Sequence, residues 1–147
     1  MYKLGSDKKG RQWMVEVYQA EPSDPDIFFW VWPARAKRRG ASRPPAQAAL
    51  SIESKDLTKL GNITVAPPFE NCGIGSLLLA FVERWACGRG IVRLYGDLSR
   101  VDADYLPKLK QFYSKHGWTW ELFGDTDQRK QKSDLIMGRV EKHVTAR

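Results

Sequence analysis

The stretch Ile63-Thr64-Val65-Ala66-Pro67-Pro68-Phe69-Glu70-Asn71-Cys72-Gly73-Ile74-Gly75-Ser76-Leu77-Leu78 decides the fold. Ile63-Thr64-Val65 is β-branched and reads as the end of a strand. Pro67-Pro68 stops it, because proline has no N–H to give to a ladder. From Gly73 the period changes. Leu77, Leu78, Phe81, Val82, Trp85 and Ala86 recur at helical spacing as far as residue 87, with Glu83 and Arg84 on the other side. The segment is therefore strand, glycine loop, helix. Gly73 and Gly75 permit close backbone approach to a ligand. A helix start adds unpaired N–H groups and the positive end of the dipole. Together they predict an anion site, best matched by a pyrophosphate. A dinucleotide-binding loop would need a third glycine where this chain has Leu78, and a P-loop would need Gly-Lys-Ser/Thr where it has Gly75-Ser76-Leu77. The plain alternative is a helix start that only needs two small residues.

Working outward, residues 12–20, 27–33, 48–53 and 59–65 read as four strands with short or loop connections, an antiparallel meander. After the helix, residues 91–98 form a fifth strand and 105–116 a second helix. Leu106, Leu109, Phe112 and Tyr113 share its inner face, and Lys108, Lys110 and Lys115 face out. Residues 118–123 and 134–141 supply strands six and seven. The fourth strand, first helix and fifth strand make one βαβ crossover, so those strands should be parallel neighbours. The expected class is α/β (α+β): a mixed, mainly antiparallel, seven-stranded sheet with two main helices in a single domain over 1–147.

With 147 residues, 42% hydrophobic and 28% charged, the composition suits one packed core. No apolar run approaches the roughly 20 residues of a membrane span, and residues 1–10 are too polar for a signal peptide. Cys72 and Cys87 have no metal-ligand spacing, so reduced thiols, a cytoplasmic location and no metal are expected. The net charge of +7 is partly local: Arg35, Lys37, Arg38, Arg39 and Arg43 precede Pro44-Pro45, and Arg129, Lys130 and Lys132 form a second set. Each set is either a solvated loop or an anion-binding patch. Nucleic acid is the weaker reading.

The segment 63–78 resembles the acetyl-CoA-binding motif of the GNAT superfamily of N-acetyltransferases: a strand, a Val-x-Pro turn, Gln/Arg-x-x-Gly-x-Gly/Ala, then a Leu-rich helix. Phe112-Tyr113-Ser114-Lys115-His116-Gly117-Trp118 is similar to a second signature of that family, and Gly138-Arg139-Val140 is a fainter echo. The resemblance spans roughly residues 48–141. It implies acetyl-CoA as co-substrate, its pantetheine held by the main chain of Ile63, Thr64 and Val65. It also implies a pyrophosphate on the amides of Asn71, Cys72, Gly73, Ile74, Gly75 and Ser76. Tyr113 would be the acid that protonates the departing thiolate. Three departures stand out: Glu70 replaces the loop Gln/Arg, Lys59 replaces a catalytic Glu of some relatives, and Leu106 replaces an Asn. Only residues 21–26 separate the first two strands, where relatives carry one or two helices. The acceptor side should be open unless the loop 34–47 or a second subunit, as in a homodimer, covers it.

Among individual residues, Tyr113 is either that acid or a core tyrosine. Glu53 and Asp97, at strand ends, are the candidate bases, or else turn residues. Cys72 lacks a base beside it and direct transfer needs no acyl-enzyme. His116 and His143 show no ligand or triad spacing. The implied reaction is direct attack of an acceptor amine, on a small molecule or protein, upon acetyl-CoA. The competing reading is a non-catalytic acetyl-CoA-binding module that acts through a protein partner.

Overall fold

The computed structural model describes residues 1–35, 43–54, 56–99, 105–124 and 136–144. The elements in chain order are β1 (Tyr2–Ser6), β2 (Gln12–Tyr18), β3 (Asp26–Pro33), β4 (Ala46–Ser54), β5 (Leu57–Leu60), β6 (Thr64–Val65), α1 (Ile74–Gly88), β7 (Arg93–Ser99), α2 (Leu106–Lys115), β8 (Thr119–Leu122) and β9 (Ile136–His143). A short 3-10 turn over Pro67–Phe69 leads into α1. Lys37, Arg38 and Arg39 of the first basic set, and all of Arg129, Lys130 and Lys132, lie outside the described residues.

The strands form one sheet in the order β1-β2-β3-β4-β5-β7-β9-β8, with β6 paired to β4. All pairs are antiparallel except β5–β7, which is parallel as the βαβ crossover requires. Among the described residues nine strands are present where seven were expected. One addition is β1: of its residues only Leu4 is fully buried, so Tyr2–Ser6 carried too little apolar signal to read as a strand. The other comes from a break in the strand expected over 59–65. Its first part, β5, pairs with β4 at Leu50–Leu60 and Ser51–Lys59. Its second part, β6, pairs with β4 at Ala46–Val65 and Gln47–Thr64. Gly61, Asn62 and Ile63 lie between them, and the Gly61 amide donates to the Ala49 carbonyl at 2.8 Å.

Alternation along these strands sorts the side chains onto two faces. Val15, Ile27, Phe29, Val31, Ala46, Ala48, Leu50, Leu94 and Val140 point to one face and join Ile74, Leu78, Leu79, Val82 and Ala86 of α1 in a single core. Tyr113 of α2 belongs to the same core. Burying each large aliphatic side chain stabilises the fold by about 1.5–3 kcal/mol. Phe29 packs edge-on against Phe81 and Trp85, at ring separations of 6.2 and 5.4 Å. The two helices are tied together on this face. His116 Nε2 and Ser76 Oγ are 3.0 Å apart. Lys142 donates to the His116 carbonyl at 2.6 Å and pairs with Glu83 of α1. No helix among the described residues packs on the opposite face.

Candidate active site

The split between β5 and β6 builds the site. The β5–β7 register holds only at Thr58–Leu94 and Lys59–Tyr95, although β7 continues to Ser99. Beyond that point the chain follows β4, not β7, and the sheet splays. Asn62, Ile63, Thr64 and Val65 then line one wall of a cleft of about 520 Å³. Asp97 and Leu98 of β7 line the other wall, and Lys108, Leu109, Phe112 and Tyr113 of α2 close one side. Because β6 pairs only with β4, its far edge presents main-chain groups to the cleft, an arrangement that accepts an extended ligand as an added strand.

The cleft continues into a second cavity of about 430 Å³ around the glycine loop; Val65, Glu70, Gly75, Lys108 and Phe112 line both. Asn71 has φ 59° and Gly73 has φ 90°, which turn the chain into α1. Gly73 is the N-cap residue of α1 and no side chain caps the helix. The first-turn N–H groups are therefore left for a ligand. A Cβ on Gly75 would meet the Phe112 ring at 3.6 Å and Val65 at 3.9 Å, so the glycine keeps this wall open. The uncapped helix start and the glycine-lined wall fit the phosphates of a CoA-type ligand. The loop residues Asn71, Gly73, Ile74, Gly75 and Ser76 all border the cavity. Cys72 is the exception: its side chain is buried and turned away, so it has only its main chain to offer.

The buried Cys72 is held from below by the β1–β2 hairpin. The Lys8 amide donates to the Cys72 carbonyl at 2.8 Å, and Arg11 Nη2 donates to Cys72 Sγ at 3.2 Å. Asp7 fixes Arg11 in turn. Its carboxylate accepts from Arg11 Nε at 2.7 Å, Trp13 Nε1 at 3.0 Å, and the Lys9 and Arg11 amides at 2.9 Å each. Burial alone would push this carboxyl up, but those hydrogen bonds outweigh it and hold Asp7 well below the usual carboxylate range. The Lys8 side chain runs beside Gly73, its Cγ 3.4 Å from where a Cβ would stand. Lys8, Lys108 and Lys115 thus surround the loop with positive charge, against the single carboxylate Glu70. Lys108 and Lys115 are exposed, as their helical position suggested, and also border this cavity. Lys8 gave no signal in the sequence, because only the missed hairpin brings it here.

Tyr113 is 8% exposed and borders the cleft. Its ring packs against Phe112 at 5.3 Å and Trp118 at 5.2 Å. Burial pushes its hydroxyl up to about 12, so it stays a proton donor at neutral pH. The candidate bases separate. Asp97 lines the cleft and pairs with Lys59 at 2.9 Å. Glu53 lies outside it and accepts a hydrogen bond from the Tyr95 hydroxyl. Burial, then the contact with Glu53, pushes Tyr95 well above the usual tyrosine range. Arg139 sits over the Tyr95 ring at 4.1 Å. His116 is pushed down, first by burial and then by Lys115, and serves as a link to Ser76. Among the described residues no group of three His, Cys, Asp or Glu is placed to hold a metal.

The geometry agrees with comparisons against known proteins. A search of curated proteins finds no match. Among solved structures, a GNAT-family acetyltransferase from Staphylococcus aureus is 17% identical. It superposes with a TM-score of 0.60, over 82% of this chain and 69% of that one. The spermidine N-acetyltransferase of Vibrio cholerae, solved with CoA and spermine, is 13% identical with a TM-score of 0.60, over 84% and 68%. The PaiA N-acetyltransferase of Thermoplasma acidophilum, solved with coenzyme A, is 20% identical with a TM-score of 0.55, over 81% and 61%. At these identities the likeness is one of fold. The family assignment rests on sequence: the acetyltransferase (GNAT) domain family matches residues 28–119, more than half of the chain. The expected fold, the splayed strands and the glycine loop therefore stand together, and this chain belongs to the GNAT acetyltransferase family.

Proposed function

We propose that this protein transfers an acetyl group from acetyl-CoA directly to an amine. The observation that carries the reading is the meeting of three features in one groove: the free main-chain edge of residues 62–65, the uncapped start of α1, and the buried hydroxyl of Tyr113. The edge at Ile63, Thr64 and Val65 holds the pantetheine as an added strand, and an N–H there polarises the thioester carbonyl. Main-chain amides of Asn71 to Ser76 hold the pyrophosphate, with Lys8, Lys108 and Lys115 adding charge. Glu70 faces the same cavity and opposes them.

An acceptor amine is protonated at neutral pH and must lose a proton before it attacks. Asp97 is the carboxylate at the cleft wall and takes that proton, directly or through water. Tyr113, which burial keeps protonated, gives a proton to the departing thiolate. Cys72, turned toward Arg11, takes no part as a nucleophile. The relatives solved with CoA, one of them also with spermine, support acetyl-CoA as the donor and a small amine as the acceptor. Cys72 and Cys87 are both free thiols, which suits the cytoplasm. Initial rates with both substrates varied test the route. Direct transfer gives intersecting double-reciprocal lines; parallel lines would show an acyl-enzyme and overturn it. Acetyl-CoA binding with no turnover on any amine would favour the regulatory module.

A further inference from the structure

The described helices cover one face of the sheet; the opposite face, bare of any described helix although Trp32 on it is buried, carries a group of near-parallel aromatic rings. Tyr18 and Trp30 stack at 5.3 Å and 20°, and Phe28 and Trp30 at 6.1 Å and 15°. Tyr18 is 46% and Phe28 38% exposed. Exposed rings of this size on a sheet face are costly unless something uses them.

The strand register joins these rings to the cleft. Glu16 pairs with Trp30, Trp30 with Gln47, and Gln47 with Thr64. Directly paired residues point to the same face, and the neighbouring row Val15, Val31, Ala46 and Val65 belongs to the core side. The row therefore runs across the bare face from Glu16 to Thr64, at the cleft. Trp30 stands two strand spacings from Thr64, about 10 Å, and Glu16 one spacing further. Gln47 between them is exposed. At the far end, rings beside a carboxylate suit a cation: the π-faces attract it and Glu16 adds a full negative charge. Glu16 is held in place by Trp32 Nε1, which donates to it at 3.1 Å.

We propose that the bare face is the acceptor platform, and that the acceptor is a dicationic amine. One amino group reacts at the cleft. A second cationic group rests against Trp30 and Glu16, about 10–14 Å away by the same strand spacing. This rests on the acetyl-transfer reading and names its substrate class.

The test compares α,ω-diamines of increasing length with monoamines of matched length, following thiol release from acetyl-CoA. CoA affinity is measured separately by calorimetry. Diamines spanning about 10–14 Å should show the lowest KM, below that of the matched monoamine. Trp30→Ala and Glu16→Gln should each raise the diamine KM, on the order of 2- to 12-fold for the lost cation–ring or ion contact. Neither should change the monoamine KM or the CoA affinity, and unchanged CoA affinity also shows that the variants fold. Equal KM for diamine and monoamine, or no effect of either substitution, would overturn the platform while leaving acetyl transfer standing. So would a preference for aryl monoamines that gains nothing from a second charge, or a stable dimer in sedimentation that Trp30→Ala dissociates. If turnover is absent but CoA binds, diamine binding to the CoA-loaded protein that Glu16→Gln weakens supports the platform, and no such binding overturns it. No CoA binding by the unaltered protein removes both readings.

Discussion

Arg11 Nη2 lies 3.2 Å from the sulfur of Cys72, two residues before the start of α1. This contact ties the β1–β2 hairpin to the glycine loop. Arg11 lies before the matched segment 28–119 and Cys72 within it, so the contact joins the hairpin to the part of the chain that the family model covers. Arg11→Ala should weaken CoA binding by loosening the loop, although Arg11 does not line the groove. Calorimetry on CoA, with circular dichroism to show that the fold is kept, checks it. Unchanged affinity would make the hairpin a bystander.

The same clamp predicts an acid response. The Asp7 carboxyl is depressed in the folded state, so its contribution to stability is present above its ordinary value, near 4, and is lost as pH falls below that. Asp7→Ala should destabilise the protein at pH 7 and flatten the part of the decline below about pH 4 that belongs to this residue. Thermal melts from pH 7 to 3 measure it. Parallel curves for the two proteins would contradict the assignment.

The loop glycines should differ in what they tolerate. Gly73 has φ 90°, so any side chain there strains the backbone by about 1–2 kcal/mol. Gly75 has no such constraint, and an added Cβ meets only ordinary contacts at 3.6–3.9 Å. Gly75→Asp should therefore keep the melting temperature and abolish CoA binding, because it puts a charge into the phosphate cavity. Gly73→Asp should lose binding and some stability together.

The two candidate bases make opposite predictions. Asp97→Asn should lower kcat by about 100-fold or more if it removes the general base, with little change in the KM for acetyl-CoA. Glu53→Gln, outside the cleft, should leave kcat within a few-fold and only disturb its bond to Tyr95. The reverse order would move the base to Glu53.

Much of this was legible in the sequence because the decisive signals are local. Val65-Ala66-Pro67-Pro68 and Gly73-Ile74-Gly75 fix a strand end and a helix start within a few residues, and α1 shows a clear apolar period. The matched region confirms that family. What escaped depends on pairing between distant segments. The splay between β5 and β6 is a property of how residues 57–65 pair with β4; Gly61-Asn62 marks a break in the sequence but does not say which neighbour the chain follows beyond it. The hairpin that brings Lys8 and Arg11 to the loop contains one buried apolar residue in β1, too few to set a period. The roles of Glu53 and Asp97 separate only once the cleft is drawn, since both sit near strand ends.

The most direct test of the central claim is amine-dependent thiol release from acetyl-CoA by the unaltered protein and by Tyr113→Phe. With Tyr113 as the acid, release requires an amine, yields the acetylated amine, and falls by about 100-fold or more in the variant while CoA affinity is kept. Release that ignores the amine, or a Tyr113→Phe variant as active as the unaltered protein, would contradict it.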